Sequence, residues 1–170
     1  MLMLSLNKKL SLAILLAASL TGSNLLAAGG IKTGEIFPDL AGFKLEGKLP
    51  DTKGKVVLVD FFASWCEPCK ASFPAMDELQ KKYGPQGLVI IAINVDEDKA
   101  DMEAFLKKNP VTFTVVRDGS QKLVNKAGIA TMPTSFLINA DGKVQTLHSG
   151  FKGDETKKKY QQEIEALLKK

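Results

Sequence analysis

Cys66 and Cys69 are the residues of this sequence best suited to chemistry, and they are its only two cysteines. The apolar run Val56–Phe62 precedes them and a helical pattern follows, so Cys66 is expected at the start of a helix. Unpaired amide N–H groups and the helix dipole stabilise an anion there, which predicts a pKa for the Cys66 thiol below its free value. A thiolate attacks disulfides, and a second thiol one helical turn away can resolve the mixed disulfide. The pair therefore predicts a redox centre.

Two other roles for the cysteine pair stay open at this point. A purely structural bridge between Cys66 and Cys69 would close a very short loop, which constrains the unfolded chain little and makes the bridge a weak staple. A zinc site needs four ligands, whereas the only further cysteine or histidine in the chain is His148. We therefore expect no metal.

Composition and the N-terminus indicate one exported domain. The chain has 170 residues, 45% of them hydrophobic and 25% charged, which suits a single globular domain with its own core. Two lysines precede an apolar run over residues 10–20, and small residues follow, in the order of a secretory signal peptide. The run is shorter than the about 20 apolar residues of a membrane span. We predict a signal peptide over residues 1–28 and one domain over residues 29–170, with an uncleaved N-terminal anchor as the alternative.

Export bears on the state of the cysteines and on the charge of the domain. In an oxidising compartment such as the periplasm, Cys66 and Cys69 are expected to rest as a disulfide. The net charge of the chain is +4, and two of its lysines belong to the predicted leader, so the exported domain is only weakly basic. No nucleic-acid partner is expected.

The pattern of the remaining chain predicts an α/β fold. Strands alternate with helices along most of the chain, and two strands joined by an Asn-Ala-Asp-Gly turn come last. This order predicts a mixed sheet with helices on both faces. The predicted strands span residues 56–62, 88–95, 113–116, 134–138 and 144–147, and the predicted helices span residues 66–83, 99–108, 120–127 and 154–170.

Three residues near the cysteines could modify their reactivity. Asp60 interrupts an apolar strand, where burial would raise the pKa of the carboxyl group and suit it to proton transfer near neutral pH; a solvent-facing aspartate on an edge strand is the alternative. Glu67 is either only a favourable helix N-terminal charge or a negative charge that opposes ionisation of Cys66 and tunes its potential. Pro68 removes an N–H donor near the sulfurs and fixes the backbone of the first turn.

Residues 59–70, Val-Asp-Phe-Phe-Ala-Ser-Trp-Cys-Glu-Pro-Cys-Lys, resemble the active-site segment of the thioredoxin superfamily. Pro74, five residues after Cys69, is similar to that family's helix-kinking proline, and the Thr-Met-Pro-Thr run at residues 131–134 resembles the loop that carries its cis-proline. The leader, the predicted helix over residues 99–108 and the Pro-Thr-Ser-Phe-Leu-Ile-Asn-Ala-Asp-Gly run resemble the TlpA-like branch. That branch, with its ResA-like and CcmG-like members, comprises exported thiol-disulfide oxidoreductases.

The resemblance implies a thioredoxin-like α/β fold with an N-terminal extension and an inserted helix, and it also implies catalytic roles. Cys66 would be the exposed nucleophile and Cys69 the buried resolving thiol. Asp60 would be the buried acid that exchanges a proton with Cys69. Trp65 would shield one edge of the site.

The resemblance further implies a substrate site and partners. Pro133 would lie against the disulfide, and the Met132 backbone would bind an extended substrate segment. The Cys66–Cys69 disulfide would be the redox group, with no added cofactor. The implied partners are exported proteins with cysteines or disulfides, apocytochrome c among them, and a membrane electron carrier that reduces the Cys66–Cys69 disulfide. The protein itself would be a monomer.

Two positions depart from the pattern of the relatives. The lysine that accompanies the buried acid in thioredoxin would fall at Ala92, and a glutamate found in some TlpA-like reductases would fall at Ser72. Proton handling at Cys69 is therefore expected to depend more heavily on Asp60 than it does in those relatives.

The direction of catalysis stays open between related activities. The branch resemblance favours a reductase, with a thiol oxidase or disulfide isomerase on the same site as alternatives. A peroxidase of the peroxiredoxin class would require proline at Val59 and threonine at Ala63, so its pattern is absent. A non-catalytic metal-binding or protein-binding module on the same fold is the remaining alternative, against which the intact cysteines and Pro133 count.

Overall fold

A computed structural model describes residues 29–169, so the signal peptide predicted over residues 1–28 lies outside the described residues. The strands are β1 (Val56–Phe62), β2 (Leu88–Asn94), β3 (Thr114–Arg117), β4 (Thr134–Ile138) and β5 (Val144–Ser149). The α-helices are α1 (Glu67–Tyr83), α2 (Lys99–Lys108), α3 (Lys122–Ala127) and α4 (Asp154–Leu168), with 3-10 turns at Leu40–Phe43 and Gly84–Gln86. Within residues 29–169, no helix has the length and apolar character needed to cross a bilayer.

The five strands form one mixed sheet, as predicted, and their order is β3-β2-β1-β4-β5. The β1–β2 and β2–β3 pairs are parallel, and the β1–β4 and β4–β5 pairs are antiparallel. All seven residues of β1 are buried because this strand lies at the centre of the sheet and is covered on both faces. The near-continuous apolar run in this part of the sequence follows from that position.

Alternate residues of β1 point to opposite faces of the sheet and enter two different apolar clusters. Leu58 and Phe62 pack with side chains of α1 and α4, including Phe73 and Ile164. The intervening β1 residues pack instead with the N-terminal segment and α3. Burial of each large side chain stabilises the fold by about 1.5–3 kcal/mol. Asp60 has the parity of Leu58 and Phe62, so its carboxyl group lies on the face covered by α1 and α4.

The inserted helix α2 is anchored by aromatic contacts to α1. The Phe105 ring lies 5.0 Å from the Phe73 ring, edge to face, and 5.5 Å from the Phe62 ring. Phe113 packs on Phe73 from the other side at 5.3 Å. Such aromatic pairs add about 0.5–1.5 kcal/mol each beyond the burial of their area. The insertion is therefore part of the core beneath the cysteines and not an appendage.

Three predicted boundaries shift for identifiable reasons. β3 begins at Thr114 because Phe113 is used as a core side chain before the ladder starts. α3 begins at Lys122 instead of residue 120, since the buried Asp118 carboxylate accepts from the Lys122 and Val124 amides and organises the preceding turn. β5 continues to Ser149, which pairs with Thr134.

The two described ends of the chain are fastened at different places. Gly30 lies against Gly128 at the end of α3, and a Cβ on Gly30 would collide with the Ala127 carbonyl. At the other end of the chain, the Leu168 side chain packs beside Gly87, just before β2 begins. Each end is thus held by packing against the domain.

Candidate active site

Cys66 and Cys69 form a disulfide at the start of α1, with their Cα atoms 5.2 Å apart. Cys66 is the N-cap of the helix: its backbone is extended, and its sulfur accepts from the Cys69 amide at 3.2 Å. Pro68 occupies the first turn, where a missing N–H costs the helix nothing. The sequence predicted this placement, because the continuous apolar run of β1 is followed by apolar residues at helical spacing.

The two cysteines differ in exposure. Cys66 is 6% exposed and Cys69 is 0% exposed, so only Cys66 has any solvent-accessible surface. The description of Cys66 as an exposed nucleophile needs correction, because in the disulfide form it is nearly covered. Met132 packs against the apolar cluster that contains both cysteines.

The residues beside Cys66 are far more open. Trp65 is 72% exposed, so it projects from the surface instead of covering the sulfurs closely. Glu67 and Pro68 are also exposed. Glu67 lines a cleft between the start of α1 and α2, together with Lys70. The disulfide is therefore bordered by one large aromatic surface and by a cleft with charged walls.

The turn that delivers Trp65 and Cys66 is held by Asp96, which the sequence analysis did not single out. The Ser64 amide donates to both oxygens of the Asp96 carboxylate, at 3.0 and 3.1 Å. The Asn94 side-chain amide donates to Asp96 Oδ2 at 2.8 Å. The sequence did contain an indication of this contact. Asp96 follows β2 and Ser64 follows β1, and the carboxyl ends of neighbouring parallel strands meet at one edge of the sheet.

Asp60 is completely buried on the central strand, which excludes the solvent-facing alternative. Ser135 Oγ donates to Asp60 Oδ1 at 2.6 Å, while Oδ2 has no hydrogen-bond partner among the described residues. Burial raises the pKa of Asp60 to about 7, against the opposing effect of the Ser135 hydrogen bond. Ala92 pairs with Asp60 across β1–β2, so no lysine stands at that register position.

Ser72 is the second position where this chain departs from some relatives. It is buried, and its hydroxyl donates to the Cys69 carbonyl at 2.8 Å. A hydroxyl bonded in this way is satisfied within the first turns of α1 and supplies no carboxylate at that position.

The loop before β4 lies at the same end of the sheet as the cysteines. The Met132–Pro133 peptide bond is cis, as the resemblance implied. The Gly150 amide donates to the Pro133 carbonyl at 2.7 Å, and Thr134 pairs with Phe61 near the end of β1. The structure thus brings the Pro133 loop to the end of β1 from which the Cys66 turn departs.

Two observations bear on other kinds of site. Within residues 29–169, no group of three or more His, Cys, Asp or Glu side chains is arranged to hold a metal. A groove of about 410 Å³ lies beside Phe37, Leu49 and Asp141, and it also includes Lys55, which directly precedes β1. That end of the sheet is opposite the disulfide, so this groove is separate from the cysteine site.

Comparison with known proteins finds relatives that cover most of the chain. The Redoxin family model matches residues 32–164. The thiol-disulfide oxidoreductase ResA of Geobacillus thermodenitrificans is 36% identical over 140 residues, which cover 81% of this chain and 79% of the relative. ResA of Bacillus subtilis is 36% identical over 133 residues, with coverage of 78% and 73%.

A solved structure of a related protein is also similar to this chain. A candidate thiol:disulfide interchange protein DsbE from Chlorobium tepidum superposes with a TM-score of 0.75 and 40% identity, covering 82% of this chain and 99% of that one. The fold is therefore thioredoxin-like. The chain belongs to the Redoxin family and is a thiol-disulfide oxidoreductase of the thioredoxin superfamily.

Proposed function

We propose that the protein is a periplasmic reductase of disulfides in exported proteins and that Cys66 and Cys69 carry the reaction. The observation that carries the proposal is the unequal burial of the pair at the start of α1: Cys66 is 6% exposed and Cys69 is 0% exposed. One sulfur can meet a protein substrate there, while the other can act only within the protein.

The reaction proceeds by two exchanges that transfer two electrons. The Cys66 thiolate attacks one sulfur of the substrate disulfide, and the other substrate sulfur leaves as a thiolate. Asp60 takes the proton of the Cys69 thiol, and the Cys69 thiolate then attacks the Cys66 sulfur. The second substrate sulfur leaves, and the Cys66–Cys69 disulfide remains. A membrane electron carrier with a dithiol reduces that disulfide and restores the starting state.

The substrate is held as an extended segment along the Pro133 loop. The Met132 backbone offers hydrogen bonds to such a segment, and Trp65, next to Cys66 in the chain, supplies an exposed aromatic surface. Glu67 and Pro68 tune the potential through charge and through the missing N–H. The substrate class is exported proteins with disulfides, and apocytochrome c is the specific candidate suggested by the TlpA-like pattern.

Reduction potential and covalent trapping test the proposal together. We expect a potential near the about −270 mV of thioredoxin, whereas a value near the about −120 mV of DsbA would identify a thiol oxidase instead. The Cys69→Ser protein is expected to hold exported substrates through a reducible bond at Cys66, because the resolving thiol is missing. The Cys66→Ser, Cys69→Ser double variant is the matched control and should retain none.

The role of Asp60 is tested separately by the Asp60→Asn protein. Asparagine keeps the shape of the side chain but accepts no proton, so resolution by Cys69 should slow by on the order of a hundredfold near neutral pH. The limb of the pH–rate profile that reports Asp60 should disappear. An unchanged profile in stopped-flow measurements would refute proton transfer through Asp60.

A further inference from the structure

A row of side chains crosses the sheet on the face where Asp60 lies. Asp60 pairs with Ala92 on β2 and with Ser135 on β4, and Ser135 pairs in turn with His148 on β5. Directly paired residues of neighbouring strands lie on the same face of a sheet. Helix α4 covers this row, and its Tyr160 is 1% exposed. The surroundings of Asp60 are therefore set by β4 and α4 as well as by the cysteine helix.

The hydroxyl groups of Tyr160 and Ser135 donate in sequence toward Asp60. Ser135 Oγ carries a single proton and donates it to Asp60 Oδ1 at 2.6 Å. The 2.7 Å contact between Ser135 Oγ and the Tyr160 hydroxyl must then use the tyrosine proton, so Tyr160 donates and Ser135 accepts. Burial and the nearby Asp60 charge raise the pKa of Tyr160, which keeps that proton in place. Both hydroxyls therefore point toward the carboxylate.

This chain of donors leaves the two carboxylate oxygens unequal. Oδ1 accepts from a serine that is itself polarised by a tyrosine, and successive hydrogen bonds of this kind strengthen each other. Oδ2 is buried and has no partner among the described residues. A buried polar atom without a partner is uncommon and calls for a physical reason. A proton acceptor for a neighbouring thiol is such a reason, because the disulfide form has no thiol proton to offer.

The other charged groups near the row are already engaged with each other. His148 Nε2 lies 2.7 Å from Glu163 Oε2, and the His148 ring packs edge to face on Tyr160 at 4.9 Å. On β2, Ala92 offers no titratable group, and on α1 Cys69 belongs to the apolar cluster on the face of the sheet where Asp60 lies. Ser135 is thus the hydrogen-bond donor to Asp60 among the described residues.

We infer that Ser135 and Tyr160 are positioning residues for Asp60: their hydroxyls hold Oδ1 and leave Oδ2 to exchange the Cys69 proton. The inference rests on the proposed role of Asp60 and deepens it. The step moves one proton from the Cys69 sulfur to Oδ2 and no electrons, so it needs no further reactant. The hydroxyl pair supplies, through hydrogen bonds, stabilisation of the carboxylate at a place where Ala92 provides no charged partner.

Ser135→Ala and Tyr160→Phe test this inference. Loss of a donor to the carboxylate disfavours its ionised form, so the pKa of Asp60 should rise in both variants. Near about pH 7, resolution of a Cys66–glutathione mixed disulfide should slow about fivefold to tenfold in Ser135→Ala and about twofold to threefold in Tyr160→Phe. Fluorescence of Trp65, the only tryptophan, follows the rate, and carbon-13 NMR of the Asp60 carboxyl group follows its titration.

The controls separate positioning from a general loss of structure. Tyr83→Phe removes another buried tyrosine hydroxyl, one that bonds to Glu165 away from Asp60, and should leave both readouts unchanged. Ser135→Thr restores a hydroxyl and should return the Asp60 titration toward that of the parent protein. The NMR titration is made on the oxidised form, so it requires only that each variant is folded.

The outcomes are distinct. An Asp60 titration that is the same in Ser135→Ala, Tyr160→Phe and the parent protein overturns the inference. Titrations that shift to higher pH together with the rate profiles support it. An unchanged rate profile in Asp60→Asn overturns the role of Asp60 itself, and the hydroxyl variants are not needed to reach that result.

Discussion

Two buried carboxylates lie close to the cysteine turn, and their hydrogen bonds differ. Asp96 is 4% exposed, and both of its oxygens accept from the Ser64 amide, with a further bond from Asn94. Asp60 is 0% exposed and, within residues 29–169, accepts one hydrogen bond, from Ser135, on one oxygen only. The first carboxylate holds the backbone that carries Cys66, while the second lies under the helix that carries Cys69.

The difference teaches how the same functional group can serve stability at one place and reactivity at another. A carboxylate whose oxygens all have donors contributes to folding, and removing it leaves buried N–H groups without acceptors. A carboxylate that is only half paired lowers stability when it is ionised, and its pKa is raised for that reason. Asp60 therefore has a proton affinity suited to exchange with a thiol near neutral pH.

The largest expected effect concerns the pH dependence of stability contributed by Asp60. The unfolded chain loses this proton near 3.8 and the folded protein near about 7, so the folded state binds more protons in between. The free energy of unfolding should therefore fall by on the order of 4 kcal/mol as pH rises through this window, and level off above it. Asp60→Asn should lack this fall.

Guanidinium unfolding of the oxidised proteins between about pH 4 and pH 8 measures the effect. The difference between parent and Asp60→Asn removes contributions from all other groups. The variant should be the more stable protein at the alkaline end, and parallel curves for the two proteins would contradict a raised Asp60 pKa.

A smaller effect is expected at Asp96. Asp96→Ala leaves the Ser64 amide and the Asn94 side chain without their acceptor, so the free energy of unfolding should fall by about 2–3 kcal/mol. Hydrogen exchange at the Ser64 amide should become faster in the same protein. Glu97→Ala, at the exposed neighbouring position, is the control and should change either quantity little.

The smallest expected effect is at Arg117, which contacts the backbone of Asp96 and not the cysteine turn itself. Its guanidinium donates to both Glu46 carboxylate oxygens and to the backbone carbonyls of Asp96 and Glu97. Lysine cannot reproduce this fork, so Arg117→Lys should lower the free energy of unfolding by about 1 kcal/mol. The Asp60 titration should not move, and a shift there would show that the two carboxylates are coupled.

Local patterns predicted the parts of the site that are close in sequence. The change from an apolar run over Val56–Phe62 to a helical pattern placed Cys66 at a helix start, and the resemblance of residues 131–134 to a thioredoxin-superfamily loop implied the cis-proline. The mixed character of the sheet also followed from alternating elements and a final hairpin, whereas the strand order β3-β2-β1-β4-β5 comes from the structure.

Contacts between distant residues could not be predicted in this way. Ser135 is 75 residues from Asp60 and 25 residues from Tyr160, so their hydrogen bonds depend on the β1–β4 register and on the rotation of α4. Asp96 reaches Ser64 across 32 residues. A one-residue change of register would turn Ser135 to the opposite face, and the sequence pattern does not fix register that finely.

The two described ends of the chain are fastened at different ends of the sheet, and this matters for attachment. Gly30 packs against Gly128, and Leu168 packs beside Gly87. Gly30 lines the same cavity as Thr131, just before the Pro133 loop, while Gly87 precedes β2 at the far end of the sheet. A tether joined ahead of Gly30 would leave beside Thr131, close to the Pro133 loop, and turn that pole of the protein toward its support. A fluorophore or tag joined after α4 would sit at the opposite pole and leave the approach to Cys66 open.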